Sequence, residues 1–429
     1  MVLYYIGITF VVAMLMGVPI AFILGLIPLG YLVFFSNMPL TVIGQTLFNG
    51  ADSYILLAIP FFISASILMN RTGITRDLIN FANLIVGRLP GSLSQVNIIS
   101  SMIFAGITGA AVADAAAIGG ILIPAMKEEG YTSSYSAALT VAASIMGPII
   151  PPSIIMVIYG SITGDSIGAL FMAGFVPGIM IAVSLMIVAI YYAIKDKHPR
   201  RMKGYTLKES LSIIRNALLA LMMPVIIVGG ILSGQFTPTE AAAIACAYAF
   251  IVGFFIYKQL TVKDLIDSLK EGAVTSAAIL LIIAAAKLFG LMMSIETLPQ
   301  QIAEVFMSIS TNKYVFLLIV NIFLLFMGMI METGANVILL APILIPIAIQ
   351  YGIHPLHFAL VVLVNVNIGL ATPPLGVCLF VVAPIAKTSF ENVVSRIFPF
   401  LVAEITVLFL ITYIPELILF VPRMFGFVV

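Results

Sequence analysis

Apolar runs dominate this chain, and polar residues arrive mostly in short clusters that punctuate them. A helix that crosses a bilayer needs about 20 mostly apolar residues. Runs of that kind cover residues 2–16, 19–35 and 54–70. The stretch RTGITRDLINFANLIVGRLPG follows, with Arg71, Arg76, Asp77 and Arg88 arranged around an amphipathic pattern. That pattern predicts an interfacial arm helix. Two segments after it are not simple spans. Residues 94–126 are interrupted by Gly106, Thr108, Gly109 and Asp114, and residues 133–160 by GPIIPPS at 147–153. Further spans are predicted at 169–194, 211–234, 241–257 and 272–293.

Charge orients these elements. The loop KDKHPRRMKGYTLK at 195–208 holds six basic residues and one acid, which places it in the cytoplasm. The next loop, GQFTPTE, has no basic residue and fits the outside; residues 258–270 carry three lysines and fit the inside.

The two halves of the chain match without a gap. Phe104-Ala105-Gly106 falls on Phe326-Met327-Gly328, 222 positions on, and Ala113-Asp114 on Ala335-Asn336. Leu122-Ile123-Pro124 falls on Leu344-Ile345-Pro346, Gly130 on Gly352, Gly147 on Gly369, and Pro151-Pro152 on Pro373-Pro374. Each repeat reads as three spans, an arm, two broken segments and a closing span. The second copies of the last three are 316–350, 358–386 and 398–420. One broken segment per repeat taken as a re-entrant hairpin leaves five crossings, so the second repeat is inverted relative to the first. Positive charge at Arg76, Arg88 and Lys127 favours hairpins at 94–126 and 316–349 and discontinuous helices at 133–160 and 355–386. Exchanging those roles preserves the parity. Inverted repeats with broken helices point to secondary transport with a site at the repeat interface.

Composition narrows the class. Of 429 residues, 62% are hydrophobic and 9% charged, too few charges to clothe a soluble protein. A soluble enzyme, a nucleic-acid binder and a disordered chain are excluded. Cys246 and Cys378 sit in apolar runs, and His198, His354 and His357 have no partner at metal-ligand spacing. No catalytic constellation or transition-metal site is visible, and no cofactor is expected.

The candidate chemistry lies at the breaks. Pro148, Pro151 and Pro152 remove N–H donors, which frees carbonyls at membrane depth. Free carbonyls with a hydroxyl are the hard oxygen ligands that Na⁺ takes, so Na⁺ is the expected coupling ion. One candidate Na⁺ site joins Gly106, Thr108 and Asp114 to Ser144, Gly147 and Pro148. The other joins Gly328, Thr333, Gly334 and Asn336 to Gly369 and Thr372. Asp114 and Asn336 fit either a ligand role or an N-cap of the second hairpin arm. Thr108, Ser153, Asn365, Asn367 and Thr372 are candidate substrate contacts, beside half-helix N-termini that suit a carboxylate. Lys287, in AAAKLFG, reads as a snorkelling or ion-paired lysine ahead of a substrate ligand.

Several motifs together resemble the large membrane subunit of the tripartite ATP-independent periplasmic (TRAP) transporters. They are MGVPIAFILG, IPFFISASILM, RTGITRDL, FAGITGAAVADAAAIG, GPIIPPS, PTEAAA and NIGLATPPLGV, spread over the whole chain. The resemblance implies an all-α polytopic protein of the bacterial inner membrane that takes up an organic acid, such as sialic acid or a C4-dicarboxylate, with Na⁺. It implies two partners besides lipid: a small four-helix membrane subunit and a periplasmic substrate-binding protein. The chain begins at the first large-subunit span, so the small subunit is expected to be separate. It also implies an elevator, with scaffold helices and arm at 1–93 and 211–313. The moving hairpin, broken helix and closing helix would be 94–194 and 314–429, joined through a cytoplasmic linker at 195–210. A stand-alone ion-coupled carboxylate transporter of similar design is the alternative.

Overall fold

A computed structural model describes residues 2–36, 38–200 and 205–427. The first half runs α1 (Val2–Leu15), α2 (Ile20–Phe34), α3 (Thr41–Ala51), a 3₁₀ turn (Tyr54–Leu57), α4 (Ala58–Arg71) and α5 (Ile74–Val86). It continues with α6 (Ser92–Thr108), α7 (Ala111–Glu128), α8 (Ser133–Ser144), α9 (Ile154–Thr163) and α10 (Ile167–Lys195). The second half runs α11 (Leu207–Leu232), α12 (Pro238–Ile251) with a π turn (Val252–Ile256), α13 (Val262–Ile295) and α14 (Leu298–Ile309). Then come α15 (Lys313–Ile330), α16 (Thr333–Gln350), α17 (Pro355–Gly369), α18 (Val377–Ala386), α19 (Phe390–Tyr413) and α20 (Glu416–Met424). Among the described residues, 8 helices are long and apolar enough to cross a membrane. Hydrocarbon has no water to pair with the backbone, so spans satisfy their own N–H and C=O groups by coiling.

Local sequence sets the helix starts. Thr206, Thr237 and Thr261 each cap a helix and exchange hydrogen bonds with Glu209, Glu240 and Asp264 three residues on. These reciprocal boxes satisfy N–H groups that the first turn leaves unpaired. The arm α5 buries Ile74, Leu78, Ala82 and Val86 on one face, at helical spacing, and leaves Arg76 exposed.

Element bounds follow the sequence repeat. The hairpin α6–α7 corresponds to α15–α16, and the pair α8–α9 to α17–α18. The hairpins hold 92–128 and 313–350, and the breaks lie at 145–153 and 370–376. Both breaks contain a cis prolyl bond, Pro151-Pro152 and Pro373-Pro374. Packing is reciprocal as well. Helix α7 packs on α18 and α16 on α9; α8 packs on α19 and α17 on α10; α4 packs on α12 and α13 on α2. Each hairpin's second arm thus touches the second half of the other repeat's broken helix.

Two features depart from the expected elements. Residues 41–51 form a helix where no span was expected, and α13 starts at Val262, ten residues before the predicted 272. The two departures correspond: α13 is one continuous helix, whereas its counterpart in the first half is interrupted after Ala51 and restarts through the 3₁₀ turn. Arg71 holds this region together with a 3.0 Å ion pair to Glu271. At the far end of the first hairpin, Lys127 donates to the Ala386 carbonyl at 3.1 Å, which satisfies a C-terminal carbonyl of α18.

Candidate functional site

The first hairpin turns at Gly109, which adopts φ +61, a left-handed conformation that an L side chain rarely takes. That turn is seated on the first break. A Cβ on Gly109 would stand 2.9 Å from the Pro152 carbonyl, and one on Gly106 would stand 3.4 Å from that of Pro151. Asp114, one turn into α7, is fully buried. Its Oδ1 accepts from the Thr108 hydroxyl, and its Oδ2 has no hydrogen-bond partner. A Cβ on Gly147 would meet that Oδ2 at 2.9 Å. The carboxylate is therefore aimed at the backbone where α8 gives way to the break, and only a glycine leaves it room.

Neighbouring groups of the first site are engaged locally. Ser144 donates to the Val141 carbonyl and adjoins the Cys378 thiol of the other repeat. The Pro148 carbonyl accepts from Ser153 at 2.6 Å, while the Ser153 oxygen also caps α9 through the Met156 N–H. The structure brings Gly106, Thr108, Asp114, Gly147 and Ser144 to one junction. It gives Ser153 a capping role there.

The second junction has the same plan with different chemistry. Gly328 and Gly369 meet backbone to backbone: a Cβ on Gly369 would lie 2.4 Å from the Gly328 Cα. The Thr333 hydroxyl donates to Asn367 at 3.1 Å, and Asn336 donates to the Met331 and Met327 carbonyls at 2.9 and 3.2 Å. The Asn336 amide oxygen has no partner. Gly334 lies against the Glu332 carboxylate, with its notional Cβ 3.0 Å from Oε2. Thr372 donates to the Ile368 carbonyl. Neither Asp114 nor Asn336 caps its helix: the N-cap positions belong to Ala110 and Glu332. The cap reading of these two residues is therefore set aside.

Of the substrate candidates, Asn365 is committed elsewhere. It donates to Asn321 at 2.6 Å, and Asn321 donates to Thr412 at 3.1 Å, which ties α15, α17 and α19 into a buried polar ladder. None of the site residues predicted from the sequence lines one further cavity of the fold. That cavity, about 700 Å³, lies between α3 and α13 on one side and α9 and α16 on the other. Lys287 lines it, with no carboxylate among the described residues within ion-pair distance.

Asn321 and Glu404 are not among the residues predicted from the sequence. Glu404, on α19, is fully buried, and neither carboxylate oxygen has a hydrogen-bond partner. An acid in the middle of the predicted 398–420 span was the available signal, since intramembrane carboxylates are rare and costly.

A family model described as the tripartite ATP-independent periplasmic transporter DctM component matches residues 7–417. The chain belongs to the DctM family of TRAP transporters. A similar relative is the sialic acid TRAP transporter large permease protein of Vibrio cholerae, 38% identical over 95% of this chain and 96% of that one. The C4-dicarboxylate TRAP transporter large permease protein of Rhodobacter capsulatus is 36% identical over 96% and 97%. The isethionate TRAP transporter permease protein of Oleidesulfovibrio alaskensis is 39% identical over 96% of this chain and 65% of its own length. Among solved structures, the YdaH transporter of Alcanivorax borkumensis has the same fold at 14% identity, with a TM-score of 0.60 over 87% of each chain. This DctM-family chain is thus a transporter permease, a multi-pass protein of the bacterial inner membrane.

Proposed function

We propose that the chain is the translocating subunit of a Na⁺-driven symporter that imports an organic acid delivered by a periplasmic binding protein. The observation that carries the Na⁺ assignment is Asp114: a fully buried carboxylate with one hydroxyl donor, a second oxygen left free, and the Gly147 backbone beside it. A buried charge without a basic partner needs a counter-ion. Na⁺ bound by Asp114, Thr108 and the carbonyls of the break supplies it. The second junction offers neutral oxygens from Thr333, Asn336 and Thr372 for a second ion. Moving one negative charge inward against the membrane potential costs about 2.3 kcal/mol per 100 mV. Two Na⁺ ions per monovalent acid reverse that sign and let the potential drive uptake.

The reciprocal packing of the halves supports inverted repeats with re-entrant hairpins. In this reading α6–α10 and α15–α20 form a moving unit that slides against a scaffold of α1–α5 and α11–α14. The relatives' names include sialic acid and C4-dicarboxylate permeases, which supports an organic acid as cargo. Family membership implies a periplasmic binding protein and a small membrane subunit. Proteoliposome uptake with each component omitted in turn tests this. Uptake is expected only with all three proteins and an inward Na⁺ gradient. Full uptake without the binding protein would replace this reading with a stand-alone carboxylate transporter.

A further inference from the structure

The cavity between α3, α13, α9 and α16 is of a size typical for small-molecule sites. It lies where the proposed scaffold meets the proposed moving unit. Its polar lining is unusual for so apolar a chain: Thr46, Asn49, Asp52, Ser53, Ser161 and Lys287. Lys287 is the cation among the residues that line it. Its Cβ faces α3, where a Cβ on Gly50 would stand 3.0 Å away, and its side chain is exposed. No ion pair joins it to Asp52 among the described residues.

The repeat makes this cavity singular. Position 287 corresponds to Ala65 in the first half, and position 52 to Val274 in the second. The helix interruption at 52–57, which opens the cavity's α3 wall, has no counterpart in the continuous α13. The ammonium and the carboxylate are thus both departures from the duplicated plan. A duplicated feature suits ions that bind in related pairs; an unduplicated polar chamber suits one asymmetric cargo molecule.

We propose that Lys287 holds the carboxylate of the transported acid, and that this acid is a monocarboxylate rich in hydroxyl groups. The inference rests on the organic-acid reading above. One ammonium balances one carboxylate. A second carboxylate would find Asp52, with no further cation in the lining. Hydroxyl groups, by contrast, can donate to Asp52 and pair with Asn49, Thr46, Ser53 and Ser161. The chamber also has room for a molecule of sugar-acid size.

The test uses the reconstituted assembly with an inward Na⁺ gradient and four probes: N-acetylneuraminate, 2,3-diketo-L-gulonate, succinate and isethionate. Uptake of a hydroxyl-rich monocarboxylate is expected to exceed that of succinate. For that acid, presented on saturating binding protein, Lys287→Met should lower the initial rate at least tenfold, and Lys287→Arg should restore most of it. Lys287→Cys should be inactive, then regain uptake after an aminoethyl thiosulfonate reagent but not after an uncharged methyl one; the wild-type chain treated alike controls for Cys246 and Cys378. A Lys287→Met chain at wild-type rate, rescue by the uncharged reagent, or a preference for succinate would overturn the proposal. A wild-type assembly that takes up none of the four acids would instead overturn the organic-acid reading itself.

Discussion

Gly369→Ala adds one methyl group at the place where two backbones are closest. The new Cβ would lie 2.4 Å from both the Cα and the carbonyl carbon of Gly328 and 2.8 Å from its oxygen. Carbon atoms in ordinary contact stand about 3.5–4.0 Å apart, so α15 and α17 must part by roughly 1 Å. No side-chain rotation relieves the clash, because both neighbours are main chain. Overpacking of this kind costs about 1–3 kcal/mol. The separation also stretches the 3.1 Å bond from Thr333 to Asn367, which couples the hairpin to the break. Thermal unfolding in detergent and Na⁺-driven uptake in proteoliposomes are the two readouts, and both should fall, uptake by at least tenfold. Gly120→Ala is the matched control. That glycine lies inside α7 with nothing within 4 Å of a notional Cβ. Alanine there should gain about 0.5–1 kcal/mol from helix propensity and leave uptake unchanged. A Gly369→Ala chain with wild-type melting and uptake would refute the claim that hairpin and break must stay in backbone contact.

Three further outcomes are expected. Thr108→Val keeps the shape but removes the hydroxyl that Asp114 accepts, a loss of about 1–3 kcal/mol for a buried polar group; the Na⁺ concentration for half-maximal uptake should rise roughly tenfold, and an unchanged value would remove Thr108 from the site. Glu404→Met deletes two buried oxygens without partners and should raise the melting temperature, since an apolar side chain replaces groups that are costly to bury; a lower melting temperature would mean that Glu404 has a partner of structural weight. His198, in the basic loop after α10, packs against Tyr131 and Tyr135 with ring centroids 4.3 and 4.8 Å apart, and burial pulls its pKa below the usual 6.5, opposed by Asp196. The neutral ring is the one that the fold favours, so stability from this group is present above pH 6.5 and declines as pH falls below it; His198→Phe should flatten the pH dependence of melting between 6.5 and 5, and an unchanged pH dependence would remove His198 from it.

The helix breaks were legible because their punctuation is chemical. The Gly-Pro clusters at 147–152 and 369–374 fall at the helix breaks at 145–153 and 370–376, whereas isolated prolines such as Pro124, Pro177 and Pro346 stay inside helices. Whatever differs between the halves was hidden from a comparison of the two. Residues 41–51 lie outside the predicted spans because Gly44, Gln45 and Asn49 dilute their hydrophobicity; they are helical where they pack on α13. Asn321, Glu404 and Lys287 align with Ile99, Ala182 and Ala65, so the repeat lent them no support. Asn365 was legible as polar, but its use in a ladder through Asn321 depends on helices 44 residues apart in sequence. Single polar residues in apolar runs acquire a role only through neighbours that tertiary packing supplies.

The most direct test of the account compares initial uptake against external Na⁺ for the wild-type chain and Asp114→Asn, each reconstituted with the small subunit and the loaded binding protein. The account predicts saturable, Na⁺-dependent uptake by the wild-type chain, no uptake when choline replaces Na⁺, and no Na⁺-stimulated uptake by Asp114→Asn although that chain still folds. Equal uptake in Na⁺ and choline, or an Asp114→Asn chain with the wild-type Na⁺ response, would contradict it.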